Sequence, residues 1–379
     1  MDSNLVNLRK GRRAKSAYER FISSEAVPVI GGFGIDSLYE IPMAPWARQG
    51  CDGAYLQFFG SDGALGMYAG KISAGGATLP ERHLFEEMVY ILQGEGVAEI
   101  QQRDRVPENM VWRAGSLFSS PLNALHRLIN YSDQPALFLA VTTAPVALDH
   151  YRNEQFIFQN DFVFNDRYDG AVNYFRASDE RYRGLDYREW IHQTNFIPDV
   201  SALGQQRAEG KRRRIKIARF EMAKNSLVGQ LVEWPVGRYR RAHCRSGGVA
   251  LLILRSSGYS LMWPSHLGTQ PYKLGLADQV VRLDWAPGSI FSPPPNWFHQ
   301  HFNTGAEPAQ TLAFFCGSEE YPLSWRTDGA NAARFALSRQ AGALDINSDD
   351  PSIRRMYEAE LVKNGIMPRQ RVERAAGKD

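Results

Sequence analysis

The 379-residue chain predicts an all-β fold: two tandem antiparallel β-barrels of jelly-roll type, with short helices at the N- and C-termini. Two observations carry this expectation. Short apolar runs of strand length recur between breaks made by 33 glycines and 20 prolines, the signature of many short strands joined by turns. The runs also occur as two related series, so the pattern is an internal duplication.

The duplication is read directly from two blocks. "GSLFSSPLNALHRLIN" (115–130) lies over "GSIFSPPPNWFHQHFN" (288–303) without a gap. Gly115 meets Gly288, Pro121 meets Pro294, Asn123 meets Asn296, His126 meets His299 and Asn130 meets Asn303. "VYILQGEGVAEI" likewise lies over "LLILRSSGYSLM", at an offset of 162 residues against 173 for the first pair. The later copy therefore carries about eleven extra residues, which "PSHLGTQPYKL" supplies. The expected division is an N-terminal arm (1–49), a first β-domain (50–149), a linker rich in Tyr, Arg, Asp and Asn (150–214), a second β-domain (215–325) and a helical tail (326–379). "SAYERFISSE" reads as a helix near the start. "DDPSIRRMYEAELVKNG" reads as one near the end, with Asp350 and Pro351 at its first turn and Gly365 as its stop.

Composition narrows the class of function. A hydrophobic share of 44% with 12% aromatics suits packed cores. A net charge of +3 gives no general affinity for nucleic acid or anionic lipid, and the basic runs at 9–15 and 211–214 read as solvated surface. Cys51, Cys244 and Cys316 are scattered, which suits a reducing compartment and offers no thiolate metal site. No signal peptide or membrane-length apolar run is read, so the expectation is a cytoplasmic protein with a small-molecule substrate and no nucleic-acid or membrane partner. The glycines of "VIGGFGID" (29–36) read as a loop, and Trp46, Trp112, Trp263 and Trp297 as core or rim.

The stretch "LPERHLFEEMVYILQGEG" (79–96) concentrates the chemistry. On a strand, Glu81, His83 and Glu87 fall in phase on one face. His126 follows on a later strand. Histidines and a carboxylate from two hairpins can close around one divalent cation and leave positions open. These residues carry a resemblance to the cupin superfamily. His83, three residues, Glu87, six residues and Gly94 match the second half of its first motif, and Gly115 to Asn130 match its second motif with Asn123 at a glycine place. The resemblance implies a bicupin, two cupin domains in one chain, covering about residues 50–145 and 215–320. Carried over by position, the metal ligands it implies are Glu81, His83, Glu87 and His126, with Glu81 standing where a histidine is usual. Glu81 is then a fourth ligand or a catalytic proton carrier. In the second copy the same places read His243, Arg245, Val249 and His299. That suggests a degenerate copy, with a three-histidine site of His243, His299 and His301 as the alternative and Arg245 as a contact for an anionic group.

The enzyme expected from this pattern is a non-haem Fe(II)-type dioxygenase or related oxidoreductase acting on a small aromatic or carboxylated substrate. Similarity to bicupins that cleave gentisate and salicylate supports it, although those carry three histidines. Fe(II) is the first expectation for the metal, with Mn, Ni, Co, Cu or Zn also admitted. A metal-dependent lyase, decarboxylase or isomerase using the same site, and a non-catalytic small-molecule binder, are the alternatives. A homo-oligomer is expected.

Overall fold

Runs such as "ALFLAVT" and "AQTLAFFC" are apolar at nearly every position, whereas "ENMVWR" alternates. The first pattern demands a strand buried on both faces and the second a strand with one face in water. A computed structural model describes residues 14–323 and 350–367, apart from 62, 104, 172, 185–189, 204–205, 208–214 and 245–246. It contains both kinds of strand.

The first half comprises helix α1 (Ala17–Ser24) and strands β1 (Val29–Gly32), β2 (Gly34–Ile35), β3 (Ala44–Trp46), β4 (Cys51–Phe58), β5 (Gly66–Ile72), β6 (Glu87–Gln93), β7 (Glu95–Gln101), β8 (Glu108–Arg113), β9 (Leu117–Phe118), β10 (Leu125–Asn130) and β11 (Ala136–Thr142). Helices α2 (Ala144–Tyr151) and α3 (Glu154–Phe158) follow, then β12 (Arg181–Arg183), β13 (Trp190–Gln193), β14 (Phe196–Ile197) and β15 (Gln206–Arg207). The second half comprises β16 (Lys216–Glu221), β17 (Leu227–Trp234), β18 (Tyr239–Cys244), β19 (Val249–Arg255), β20 (Gly258–Pro264), β21 (Val281–Trp285), β22 (Ile290–Phe291), β23 (Trp297–Asn303), β24 (Ala309–Cys316) and helix α4 (Pro351–Lys363).

Each half is a sandwich of a large and a small sheet. In the first, β1-β4-β5-β11-β6-β9-β14 faces β10-β7-β8; in the second, β12-β13-β16-β17-β24-β19-β22-β2 faces β18-β23-β20-β21. The two large sheets pack back to back. Leu56, Met67, Met88 and Leu139 of one share an apolar cluster with Phe220, Leu231, Leu252 and Phe314 of the other. Both faces of the large sheets are thus covered, so β11 and β24 are buried at every position while β8 alternates. The architecture is the expected two-fold repeat of antiparallel β-units, each a sandwich of two sheets. The extra residues of the second copy fall between β20 and β21.

Leading segments are exchanged between the halves. β1 runs parallel to β4 in its own sheet, but β2 pairs with β22 of the second sandwich. Conversely β13 runs parallel to β16, and β14 pairs with β9 of the first sandwich. The glycine-rich 29–36 stretch is therefore strand rather than loop, because backbone pairing and not side-chain pattern specifies it.

The terminal helices form where capping residues set them. Ser16 accepts from the N–H of Glu19 while Glu19 accepts from the N–H of Ser16, a reciprocal cap on α1. Asp350 caps α4 through the N–H of Ser352. That helix lays Ile353, Tyr357 and Leu361 on the small sheet of the second sandwich. Among the described residues, no helix is long and apolar enough to cross a membrane.

One carboxylate fastens the halves beside the cluster described below. Glu86 accepts from the backbone N–H groups of Ser226 and Leu227, each at 3.0 Å, and from the Ser226 hydroxyl at 2.6 Å. Glu86→Ala strips two backbone donors of a charged acceptor. It should lower the unfolding free energy by about 2–3 kcal/mol, read as a lower urea midpoint, with Glu86→Gln losing less.

Candidate metal centre

Glu81 and His126 face each other in an antiparallel bridge, exchanging N–H to O bonds of 2.9 Å in both directions. Past Glu81 the chain leaves the small-sheet side, carries His83 through irregular backbone, and enters the large sheet at Glu87, the first residue of β6. The three side chains therefore meet because the chain crosses between sheets, not because one strand holds them in phase. The "QGEG" stretch is likewise a corner. β6 and β7 belong to different sheets, and Gly94 makes the bend at φ +93°. A Cβ there would stand 2.7 Å from the Cβ of Ala136, so glycine is required twice over.

The second block folds as its residues dictate. Asn123 and Asn296 take the left-handed conformation (φ 61° and 60°) that glycine favours, and asparagine tolerates it better than most other residues. Buried Asn130 donates to the carbonyls of Ser73 and Gln134 and accepts from Ser132, so it ties the turn after β10 and plays a structural part.

The imidazoles are held from behind. His83 Nδ1 donates to the Phe85 carbonyl and His126 Nδ1 to the Ala124 carbonyl, both at 2.9 Å. A carbonyl only accepts, so each neutral ring carries its lone pair on Nε2. Both Nε2 atoms are buried, and neither has a hydrogen-bond partner. They lie 3.7 Å (His83) and 3.4 Å (His126) from Oε2 of Glu87. Two ligands of one metal at about 2.1 Å stand no more than about 4.2 Å apart, so these separations fit a shared cation. The other oxygen of Glu87 accepts from the Tyr68 hydroxyl at 2.5 Å. Two buried imidazole Nε2 atoms aimed at a buried carboxylate form a donor set that a divalent ion fits once it displaces their proton.

Charge within the cluster is strongly coupled. Burial alone would raise the Glu87 pKa, but the two imidazoles beside it win and hold it well below the usual carboxylate range. Burial alone would lower His126; the Glu87 carboxylate outweighs it and raises the imidazole to about 9. Burial and the neighbouring Glu87 push the Tyr68 phenol far up, which keeps it a donor.

Glu81 sits at the rim. Its oxygens accept from Arg48 Nη1 and Gln49 Nε2, both at 2.5 Å. Among the described residues, Glu81, His83 and His126 also bring ligand-type donor atoms within 4.8 Å of one another. Arg48 is anchored in turn by Glu25 at 2.6 Å and lies over the ring of Trp46. Sequence reasoning missed Arg48 and Gln49. They precede Glu81 by more than thirty residues, in a loop with no motif, and only the fold brings them there.

In the second sandwich, β23 keeps an unbroken register with β20, so His299 and His301 share a face, and His243 lies opposite His299. The ring centroids are 4.1 Å (His243–His299), 5.4 Å (His299–His301) and 6.1 Å (His243–His301) apart. The rings are neighbours, yet no three-nitrogen cluster within 4.8 Å forms among the described residues. Val249 occupies the place of Glu87 and removes the carboxylate. Arg245 lies outside the described residues. Trp46, Trp112 and Trp263 are fully buried core.

No family model matches the chain, and no curated protein sequence matches it. Among solved structures it is similar to Bacillus subtilis oxalate decarboxylase, studied for its Mn(II) centres, at 13% identity. That match covers 76% of this chain and 78% of the other, with a TM-score of 0.45. Lactobacillus farciminis oxalate decarboxylase, in a formate complex, is similar at 13% identity over 75% and 86% of the two chains, with a TM-score of 0.47. The likeness concerns the fold alone.

The cluster predicts a pH signature. Because the His126 pKa is raised, its pairing stabilises the metal-free protein fully below pH 6.5, and that contribution disappears as pH rises through about 9. Metal must displace the same proton, so divalent-metal affinity should increase across this window. Thermal melts of metal-free protein from pH 6 to 10, with titrations of Mn(II) at each pH, should show the two trends in opposite directions.

Proposed function

We propose that the first sandwich is the catalytic unit of a divalent-metal lyase of decarboxylase type, acting on a small carboxylated substrate. The observation that carries this reading is the division of labour among four side chains. His83, His126 and Glu87 make a three-donor face by themselves, and Glu81 remains beside it as a further carboxylate. Glu81 is held in place by Arg48 and Gln49.

Nitrogen and oxygen donors with no thiolate suit Mn(II) or Fe(II). Such an ion, when bound, supplies a positive centre that holds an oxygen-bearing substrate and draws electron density from it. The protein supplies the rest. Phe85 and Ala124 carbonyls fix the imidazoles, Tyr68 fixes Glu87, and Glu81 is placed to accept or return a proton at its carboxylate oxygen, the step a lyase requires when a carbon–carboxylate bond breaks. Arg48 balances the charge of Glu81 and sets its orientation.

The second reading is an O2-dependent oxidoreductase. Its supporting observation is the same three donors, since two histidines and one carboxylate are the ligand set of non-haem Fe(II) oxygenases. In that case Glu81 has no proton to carry.

Metal analysis of the purified protein, with parallel assays of CO2 release and O2 uptake over small keto- and dicarboxylates and hydroxybenzoates, separates the two. CO2 release without stoichiometric O2 uptake is expected. His126→Ala should lose metal. Glu81→Gln should keep its metal and lose about 100-fold or more in kcat. A Glu81→Gln enzyme with full turnover would remove the proton-carrier role. O2 uptake with hydroxybenzoates would favour the second reading. Protein that purifies without metal and cannot be reconstituted with Mn or Fe would sink both.

A further inference from the structure

A pocket, open at its mouth, lies between the two sheets of the second sandwich, walled by β17, β19, β22, β23 and β24. Its origin is visible in the repeat. Where the first sandwich places Tyr68 opposite Ala140 and Phe138 opposite Gly70, the second places Gln230 opposite Ala313 and Thr311 opposite Val232. The phenol and phenyl rings that fill the first interior are thus replaced by an amide and a threonine. Val249 stands for Glu87, so the walls turn apolar where the first copy carries its charge. Val232 in place of Gly70 and Trp234 in place of Ile72 return part of the volume, and the remainder is the cavity.

Its lining is mainly hydrocarbon and aromatic, with Leu251, Ile253, Trp285 and Phe291 among the walls. Gln230, His243, His299 and His301 also reach that surface, and Trp234 and Thr311 add two further polar groups. The indole Nε1 of Trp234 and the hydroxyl of Thr311 are buried, line the cavity and have no hydrogen-bond partner. Trp234 pairs with Ala309 and Val232 with Thr311, so Trp234 and Thr311 are diagonal neighbours on one face of the large sheet. An unmet donor and an unmet hydroxyl inside an apolar chamber cost free energy unless a ligand or water answers them.

We propose that this chamber is a second, metal-independent binding site for a small, flat, mainly apolar molecule with one hydroxyl or carbonyl oxygen, of which a phenol is the simplest form. The ring packs between Trp285, Phe291 and the aliphatic walls. The oxygen accepts from Trp234 Nε1 and meets the Thr311 hydroxyl. This site stands apart from the metal chemistry of the first sandwich, and it gives the degenerate copy a ligand of its own.

The test uses the full chain with phenol as probe and toluene as its oxygen-free counterpart, followed by calorimetry and tryptophan fluorescence. Saturable one-site binding of phenol is expected, with toluene weaker by about fivefold or more. Thr311→Phe restores the residue of the first copy, and Ala313→Leu fills the chamber from the same strand; each should weaken phenol by about tenfold or more. Thr311→Val should weaken phenol but not toluene. Binding should persist in His126→Ala, so failure of the metal assignment leaves this result intact. Absence of saturable phenol binding to the unaltered protein, or binding that survives both filling variants, overturns the proposal. Should neither filling variant fold, crystals soaked in 4-bromophenol decide it: an anomalous peak among Trp234, Phe291 and Thr311 supports the site, and none there overturns it.

Discussion

The back-to-back packing of the two large sheets constrains everything else in this molecule. A sheet covered on one face leaves its other face to water and alternates in sequence; these sheets cannot alternate, because each is the wall between two interiors. Leu139 and Val141 point into the shared core while Phe138 and Ala140 point into the first sandwich. Successive residues of a single strand therefore belong to different hydrophobic cores. A substitution on β11 or β24 is felt in one interior or the other according to parity alone.

The candidate metal cluster uses this wall as its floor. Glu87 opens β6 in the large sheet, and His126 comes from β10 in the small one, so the cluster closes the gap between sheets as a cross-link would. Its neighbour Glu86 points the other way and accepts from the start of β17. Two adjacent carboxylates thus serve two interfaces, one inside the sandwich and one between sandwiches. Rigidity at the candidate centre derives from both.

Much of this was legible in the sequence. Two blocks aligned without a gap gave the duplication and the position of the insertion, and the 79–96 stretch with His126 gave three of the buried side chains of the cluster. Asp350, Pro351 and Gly365 marked the C-terminal helix, because capping is local chemistry. What escaped was non-local. Residues 81–87 hold no single strand, so their phase was not informative. Strand pairing of Gly34 and Ile35 depends on backbone groups of β22, about 255 residues away. Arg48 and Gln49 reach Glu81 only through the fold. The second copy, judged by its missing ligands, looked merely degenerate; the volume lost from Phe138 to Thr311 becomes visible only when strand registers are compared.

The exchanged leading segments bear on ancestry. β2 completes the sheet of the second sandwich and β14 completes that of the first, a reciprocal arrangement with the symmetry of a two-fold swap. A chain bearing only one copy of the repeat would find the complement for its arm only in a second chain. The present protein is, in topology, such a swapped pair joined end to end, and joining released the second copy from the need to be identical to the first. One half carries a charged cluster where the other has a pocket with mostly apolar walls.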